Sequence, residues 1–564
     1  MPTPATVAAL PPEESAGRGA PVAFTEYEAE NGETTGMAIG PDRTFGTLAA
    51  EASGRRAVRL EREGDAVAFT LAEPADGLTV RYAVPDSPDG RGLDTQLGIY
   101  AGERRIGSLP LTSRYAWFYG RYPFTNRPAD GRAHHFYDHV RLRLPELLPA
   151  GTRVSLRREA GDKAAWEVID LADFERVPPP RAAPPDAVPV VAFGADPSGQ
   201  HNSAIAFRRA IEEGRRIGKP VWIQPGTYRI DGHLTVDAAT LAGAGQWHSV
   251  LRGRGIGLYG KRAPGGSNAV VLRDFALIGE VAERDDKAQL AGIGGALSNS
   301  RIERLWIQHH KVGMWFDGPM EGLTIRGVTI LDETADGINF HRGVTRSSVE
   351  DSFIRNTGDD GLAMWSRQDE NAGNAFRGNT VIAPVLANGI ALYGGRDLEV
   401  RDNLVADTLT QGGGIHLGAR FGATPFGGAI RIEGNMVARG GSMDPNWKFG
   451  VGALWFHALE APIAAQVTVR DLRLIDSNEE AIQFLGANAI SGITLDQVAI
   501  RGAGGAAFQL QAPGSADARE VTAEGLAGVG VLDDSLGFAL ADDGGNSGWL
   551  GRAQMQRREL PAPR

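Results

Sequence analysis

Pairs of apolar residues five positions apart recur along the C-terminal two thirds of this chain. They are Leu272/Leu277, Ile302/Ile307, Ile325/Ile330, Val349/Ile354, Phe376/Val381, Val400/Val405, Ile432/Val437, Val469/Leu474, Leu495/Ile500 and Val521/Leu526. The interval between copies runs from 23 to 37 residues. A fixed motif at variable spacing of this size describes stacked coils with loops of unequal length, because each unit buries its apolar face only against its neighbours. The motifs are short and punctuated by Asn and Gly, which excludes helical repeats. The expected architecture is all-β, a right-handed parallel β-helix.

A second strand follows in several coils. Asp336-Gly-Ile-Asn-Phe-His, Asp360-Gly-Leu-Ala-Met-Trp, Asn388-Gly-Ile-Ala-Leu-Tyr and Gly413-Gly-Ile-His-Leu-Gly align so that Ile338, Leu362, Ile390 and Ile415 share one column. Side chains alternate across a strand. That column, with Phe340, Met364, Leu392 and Leu417, therefore faces the core, while Asn339, His341, Trp365, Tyr393 and His416 face outward together.

Asp336 and Asp360 head two neighbouring strands at one phase, about 4.8 Å apart along the stack if the strands pair in register. Asp359 adds a third carboxylate. An isolated Asp or Asn in a coil turn is ordinarily structural, and Asn379, Asn403 and Asn435 are read that way. Stacked like charges are different, because one must take a proton or be screened, so Asp336, Asp359 and Asp360 are the candidate catalytic residues.

Composition narrows the partners. The chain has 564 residues, 75 glycines and a net charge of −11, which suits a turn-rich β protein and disfavours nucleic acid. It has no cysteine, so disulfide and thiol chemistry are absent. No apolar run is long enough to span a membrane. Residues 1–21 lack the basic start and apolar segment of an intact signal peptide and read as a disordered tail, such as removal of a leader leaves.

Residues 177–189 are proline-dense and read as a stiff linker. Before them, residues 22–176 carry short strand patterns at Ala57–Leu60, Ala66–Leu71, Leu78–Tyr82 and Thr95–Tyr100, the pattern of an antiparallel β-sandwich. After them, residues 190–540 hold the β-helix and 541–564 a C-terminal tail. A helix with Ser203 as N-cap, apolar at Ala204, Phe207, Ala210 and Ile211, would plug the open first coil. The His134–His139 run reads as a surface or interface patch, and the aromatic run Tyr115–Phe124 as packing.

The stretch from Val190 through Gly226-Thr-Tyr-Arg-Ile resembles the opening segment of the pectate-lyase-like β-helix superfamily. Ala335-Asp-Gly-Ile-Asn followed by Asn356-Thr-Gly-Asp-Asp-Gly-Leu-Ala-Met-Trp-Ser366 resembles family 87 of the glycoside hydrolases, the α-1,3-glucanases and mycodextranases; Leu386–Gly395 and Gly412–Phe421 are similar to the same family. Glu26–Glu30 and Trp166–Asp170 are similar to carbohydrate-binding modules of the family 6 type. The likeness implies an endo-acting, secreted, monomeric hydrolase of neutral α-glucan, needing no cofactor for catalysis. The module resemblance implies a structural calcium ion on Glu28, Glu30 and Asp170, although exposed strand-end carboxylates would look the same in sequence. Family 28 polygalacturonases share three aspartates on this fold, but their Gly-His-Gly and Arg-Ile-Lys strings do not occur here. A polysaccharide lyase and a non-catalytic adhesin are the remaining alternatives.

The stack also suggests roles. Asp336 and Asp360 would hold and deprotonate the attacking water, and Asp359, directed differently, would protonate the leaving oxygen in an inverting reaction. Trp365 and Tyr393 offer flat faces to sugar rings, Asn339, His341, His416 and Arg420 offer hydrogen bonds, and Trp455 is a further candidate wall residue.

Overall fold

The apolar pairs align into two continuous columns. In the computed structural model, which describes residues 7–10, 12–121, 124–444, 448–535, 537–550 and 552–554, Leu272 is followed in register by Ile302, Ile325, Val349, Phe376, Val400, Ile432, Val469 and Leu495. Leu277 is followed by Ile307, Ile330, Ile354, Val381, Val405, Val437, Leu474 and Ile500. The five-residue interval spans a corner, where Arg304, Asp351, Asp402 and Asp471 take φ of +48° to +54°, so both members of a pair turn inward. These columns belong to a 22-stranded parallel sheet that faces a 13-stranded one across a shared core. Each fully buried Leu or Ile in them contributes roughly 1.5–3 kcal/mol.

The last pair departs from expectation. Leu495 lies opposite Ala518 and Ile500 opposite Ala523, which puts Val521/Leu526 three residues out of register. The final coils fill their core with Ala516 and Ala518, so the apolar spacing falls on neighbouring residues instead. At the other end, Leu241 and Leu251 continue the columns ahead of Leu272 and Leu277, ten positions apart because a turn is inserted between them. The strands Ala539–Asp542 and Arg552–Gln554 still pair within the stack, beyond the expected end at residue 540.

The expected plug is the helix Ala204–Ile217, closed by Gly218 in the left-handed region at φ +66°. Phe207 is fully buried and meets the Tyr228 ring edge-on at 5.4 Å. Ser203 does not cap through its side chain; its Oγ accepts the Asp196 N–H, and Asn202 Oδ1 accepts the N–H of Ala204. Asn379, Asn403 and Asn435 form a buried ladder in which the amide oxygens of Asn403 and Asn435 each accept the backbone and side-chain N–H of the preceding Asn, and that of Asn379 accepts the Ser352 N–H. Residues 17–20 belong with the β-helix: Gly19 N–H donates to Asp402 O, and Arg18 pairs with Asp471 at 2.7 Å. That part of the expected disordered tail is therefore an ordered strap.

The second unit comprises residues 21–180 with 281–289 and the first residues of the chain. Two antiparallel sheets, one of six strands and one of five, enclose a core that includes Val58, Val80, Leu97 and Leu156. His134, His135 and His139 are buried rather than on the surface. His134 lies among the rings of Phe45, Phe118 and Phe124, and His135 sits 3.2 Å from Glu51. Within the aromatic run, Trp117 packs edge-on against Phe136 and donates to Val84 O; Tyr122 and Pro123 lie outside the described residues.

Candidate active site

The glycine ahead of each outer strand sets the phase of the acids. A Cβ on Gly361, Gly389 or Gly414 would lie 2.2 Å from a methyl group of Val381, Val405 or Val437, and one on Gly337 would lie 2.9 Å from a methyl of Ile354. These positions press against the core, so the residue before each one points the other way. That residue is Asp336, Asp360, Asn388 or Gly413. The column Ile338, Leu362, Ile390 and Ile415 is in register as expected.

Asp336, Asp359 and Asp360 come together, each offering one carboxylate oxygen within 4.8 Å of the others. Asp336 and Asp360 are buried and Asp359 is half-buried. The two turns are joined by Gly337 N–H to Asp360 O at 3.0 Å and by Asp359 N–H to Ala335 O at 3.2 Å. Asp360 Oδ1 accepts two donors from Asn388, its backbone N–H and side-chain amide, each at 2.8 Å, while Oδ2 accepts the Tyr393 hydroxyl at 3.0 Å. Burial, and then the Asp359 charge beside it, push the Asp360 carboxyl up to about 7 against the pull of those donors. The Asp360 carboxyl therefore takes up a proton near neutral pH. Three carboxylates this close would also suit a hard divalent cation, but both oxygens of Asp360 are already occupied by protein donors.

The outward face is not an exposed face. Tyr393 is only 7% exposed and spends its hydroxyl on Asp360, so it braces the acid rather than offering a platform to sugar. His416 is fully buried, stacked on Trp455 at 3.8 Å with Nδ1 against Trp455 O, and burial holds it well below the usual imidazole range. Arg420 lies over the Phe421 ring, with its charge felt by Tyr393 and Asp360. Trp455 is no wall residue: it is buried, and its Nε1 donates to Asn388 Oδ1 at 2.8 Å. It occupies the space that a side chain on Gly413 would fill.

The other candidates lie on the strands that follow the acids: Asn339 and His341 after Asp336, and Trp365 after Asp360, in register with Tyr393. Trp365 is half-buried, its Nε1 donating to Phe421 O at 3.2 Å. His341 Nδ1 is held by Asp317 at 3.0 Å, and its Nε2 has no hydrogen-bond partner among the described residues. Asn339 is buried with Oδ1 likewise unpartnered. Two kinds of residue escaped the sequence reading. Asn388 sits at the phase of the acids but looked like a turn Asn, and Asp317 and Trp315 lie one coil earlier, where no acidic motif marked the strand.

In the sandwich unit, Asp170 is bound by Arg81 and by Ser53 N–H, so its charge is met within the protein. Glu28 accepts Ser53 Oγ through one oxygen; burial first, then Glu26, Asp170 and Glu30, raise its carboxyl well above the usual range.

Two family models match this chain. Residues 21–177 match one described as α-1,3-glucanase catalytic domain D1, and residues 200–441 match domain D2 of the same unit. Among solved structures, the chain is similar to the catalytic unit of a thermostable family 87 α-1,3-glucanase from Streptomyces thermodiastaticus strain HF3-3. The identity is 38% and the TM-score 0.87, covering 95% of this chain and 98% of that one. It is similar to the Agl-KA catalytic domain at 26% identity and TM-score 0.87, over 94% and 99% of the two chains. A family 87 α-1,3-glucanase catalytic domain in complex with nigerose matches at 25% identity and TM-score 0.83, over 94% and 100%. No curated protein sequence matches the chain.

Proposed function

The chain belongs to the α-1,3-glucanase family 87 of glycoside hydrolases and hydrolyses α-1,3-glucan, and we propose that it does so with inversion, Asp336 and Asp360 activating the water and Asp359 protonating the leaving oxygen. Membership sets aside the polygalacturonase, lyase and adhesin readings. Hydrolysis by carboxylates needs no cofactor.

The observation that carries the division of roles is the hydrogen bonding of Asp360. Three donors converge on it, which fixes its oxygens, favours its charged form and suits Asp360 to act as a base. A carboxylate whose oxygens are fixed in this way can hold a water jointly with Asp336 one coil away. The nearest oxygens lie within 4.8 Å, closer than the roughly 6.5–9.5 Å typical of a two-carboxylate inverting pair. Two bases sharing one water account for the closeness of Asp336 and Asp360. Separate Asp336→Asn, Asp359→Asn and Asp360→Asn enzymes, assayed on α-1,3-glucan, test the reading; near-normal turnover in any of them removes that residue from the mechanism.

Trp365 and His341 supply stacking and hydrogen bonding to glucosyl units, with Asn339 and Arg420 as further hydrogen-bonding groups. Relatives of this chain have been solved with nigerose and with tetrasaccharides, which supports an oligosaccharide-length cleft and endo action here. We infer a monomer acting outside the cell, on a polymer rather than on nucleic acid or membrane; size-exclusion chromatography and activity in culture supernatant check this. A structural calcium ion would rest on Glu28 and Glu30, with Asp170 bound by Arg81, and a rise in Tm on adding calcium would reveal it.

A further inference from the structure

The outer-face column that contains Asn339 continues past the acids toward the N-terminal end of the stack. Its register runs Tyr259, Gly294, Trp315, Asn339. Trp315 is half-buried, and its indole ring stands 4.9 Å from His341 and edge-on to Trp365 at 6.4 Å. Beside it, the buried Asn339 Oδ1 and His341 Nε2 have no hydrogen-bond partner among the described residues. Hydrogen-bonding atoms set next to an aromatic face, with nothing in the protein to satisfy them, are what a sugar hydroxyl and ring face require.

One coil further on, Gly294 bears no side chain, and a Cβ there would lie 2.6 Å from the Tyr259 ring. Tyr259 is therefore seated over a bare floor, half-buried, with its hydroxyl accepting the Ala291 N–H. Aromatic residues thus stand on alternate coils at Trp365, Trp315 and Tyr259, and the last lies about 14 Å along the stack from the Asp336 coil.

We propose that Trp315 and Tyr259, across the open Gly294, form a distal subsite for glucosyl units of the same α-glucan chain, continuous with the cleft at the acids. This rests on the family 87 reading. The role is binding rather than chemistry, because an indole and a phenol that accepts the Ala291 N–H offer ring faces rather than an acid or base. It makes the enzyme favour long chains, since an oligosaccharide too short to reach Tyr259, about 14 Å along the stack, gains nothing from that ring.

The full chain would be assayed on α-1,3-linked gluco-oligosaccharides from trimer to octamer. Trp315→Ala should lower kcat/KM on the octamer by about tenfold or more, as loss of a buried aromatic anchor does, mainly through KM. The loss should shrink as the substrate shortens, and Trp315→Phe should restore most of it. Equal loss at every length, or none on the octamer, overturns the proposal. In parallel, calorimetry on the Asp336→Asn enzyme, which leaves this column intact, should show affinity still rising beyond the tetramer; a plateau there overturns the proposal even if Trp315→Ala fails to fold. If the native enzyme releases nothing from any oligosaccharide, the functional reading itself fails instead.

Discussion

Asn388 gives both its backbone N–H and its side-chain amide to a single oxygen of Asp360, at 2.8 Å each, and through its own Oδ1 accepts the indole N–H of Trp455. One uncharged residue thus ties a catalytic candidate to a buried aromatic in a later coil. Asn388→Ala would remove the side-chain donor that favours the charged form of Asp360 while keeping the backbone one, so Asp360 would hold its proton more tightly. The acid limb of kcat/KM should move to higher pH. The orphaned Trp455 N–H should also cost about 1–3 kcal/mol of stability. An unmoved pH profile would show that Asn388 is a packing residue only.

Asp336→Asn, Asp359→Asn and Asp360→Asn should each lower turnover by at least about a hundredfold, the lower range for loss of an acid or base. Folding should survive, because each change keeps the shape and removes charge from a crowded acidic site. Melting curves beside the rates separate the two effects.

The solenoid was legible because its signal repeats. Nine apolar pairs are in register where the five-residue spacing places them, and the last slipped because alanine takes over the core at Ala516 and Ala518. The acids were legible because Asp336 and Asp360 share a phase with Ile338 and Leu362. Alternation correctly put Tyr393 and His416 on the outer face, but it carries no information about what covers that face. Loops and later coils bury both, and only the fold reveals that Tyr393 serves Asp360. Asn388 was hidden for a related reason: a turn Asn that caps a strand and one that holds a carboxylate read alike in sequence.

Trp365 and Tyr393 should now behave differently. Trp365→Ala, at a half-buried ring, should weaken glucan binding with little change in Tm. Tyr393→Ala should cost stability on the order of 3–5 kcal/mol, as for a buried aromatic. Tyr393→Phe keeps the packing and removes one donor from Asp360, so it should leave Tm nearly unchanged and lower kcat. If Tyr393→Ala is as stable as the native protein, the ring is not buried as described.

Glu480 offers a stability test away from the acids. Burial, with Glu479 nearby, raises its carboxyl to about 7 from an ordinary value near 4.5, and its Oε2 has no partner among the described residues. A raised acid stabilises the fold in its protonated form. Its contribution is complete below the ordinary value and is lost as pH rises through about 7, by on the order of 3 kcal/mol. Glu480→Gln, which stays neutral, should therefore gain in Tm relative to the native protein between pH 5 and pH 8. A constant difference across that range would mean that Glu480 ionises normally.

The sharpest test of the acid roles is stereochemical. If Asp336 and Asp360 share the attacking water while Asp359 protonates the departing oxygen, water reaches the anomeric carbon from the face opposite the leaving sugar, and an α-linked glucan must release a β-anomer first. Proton NMR at early times, before mutarotation, reads this directly. The 4.8 Å approach of the three carboxylates gives the experiment its force, because separations near 5 Å are also those of retaining enzymes with a carboxylate nucleophile. An initial α-anomer would make one of these aspartates that nucleophile. The converging donors on Asp360 would then have to be explained as stabilising a leaving carboxylate rather than a base.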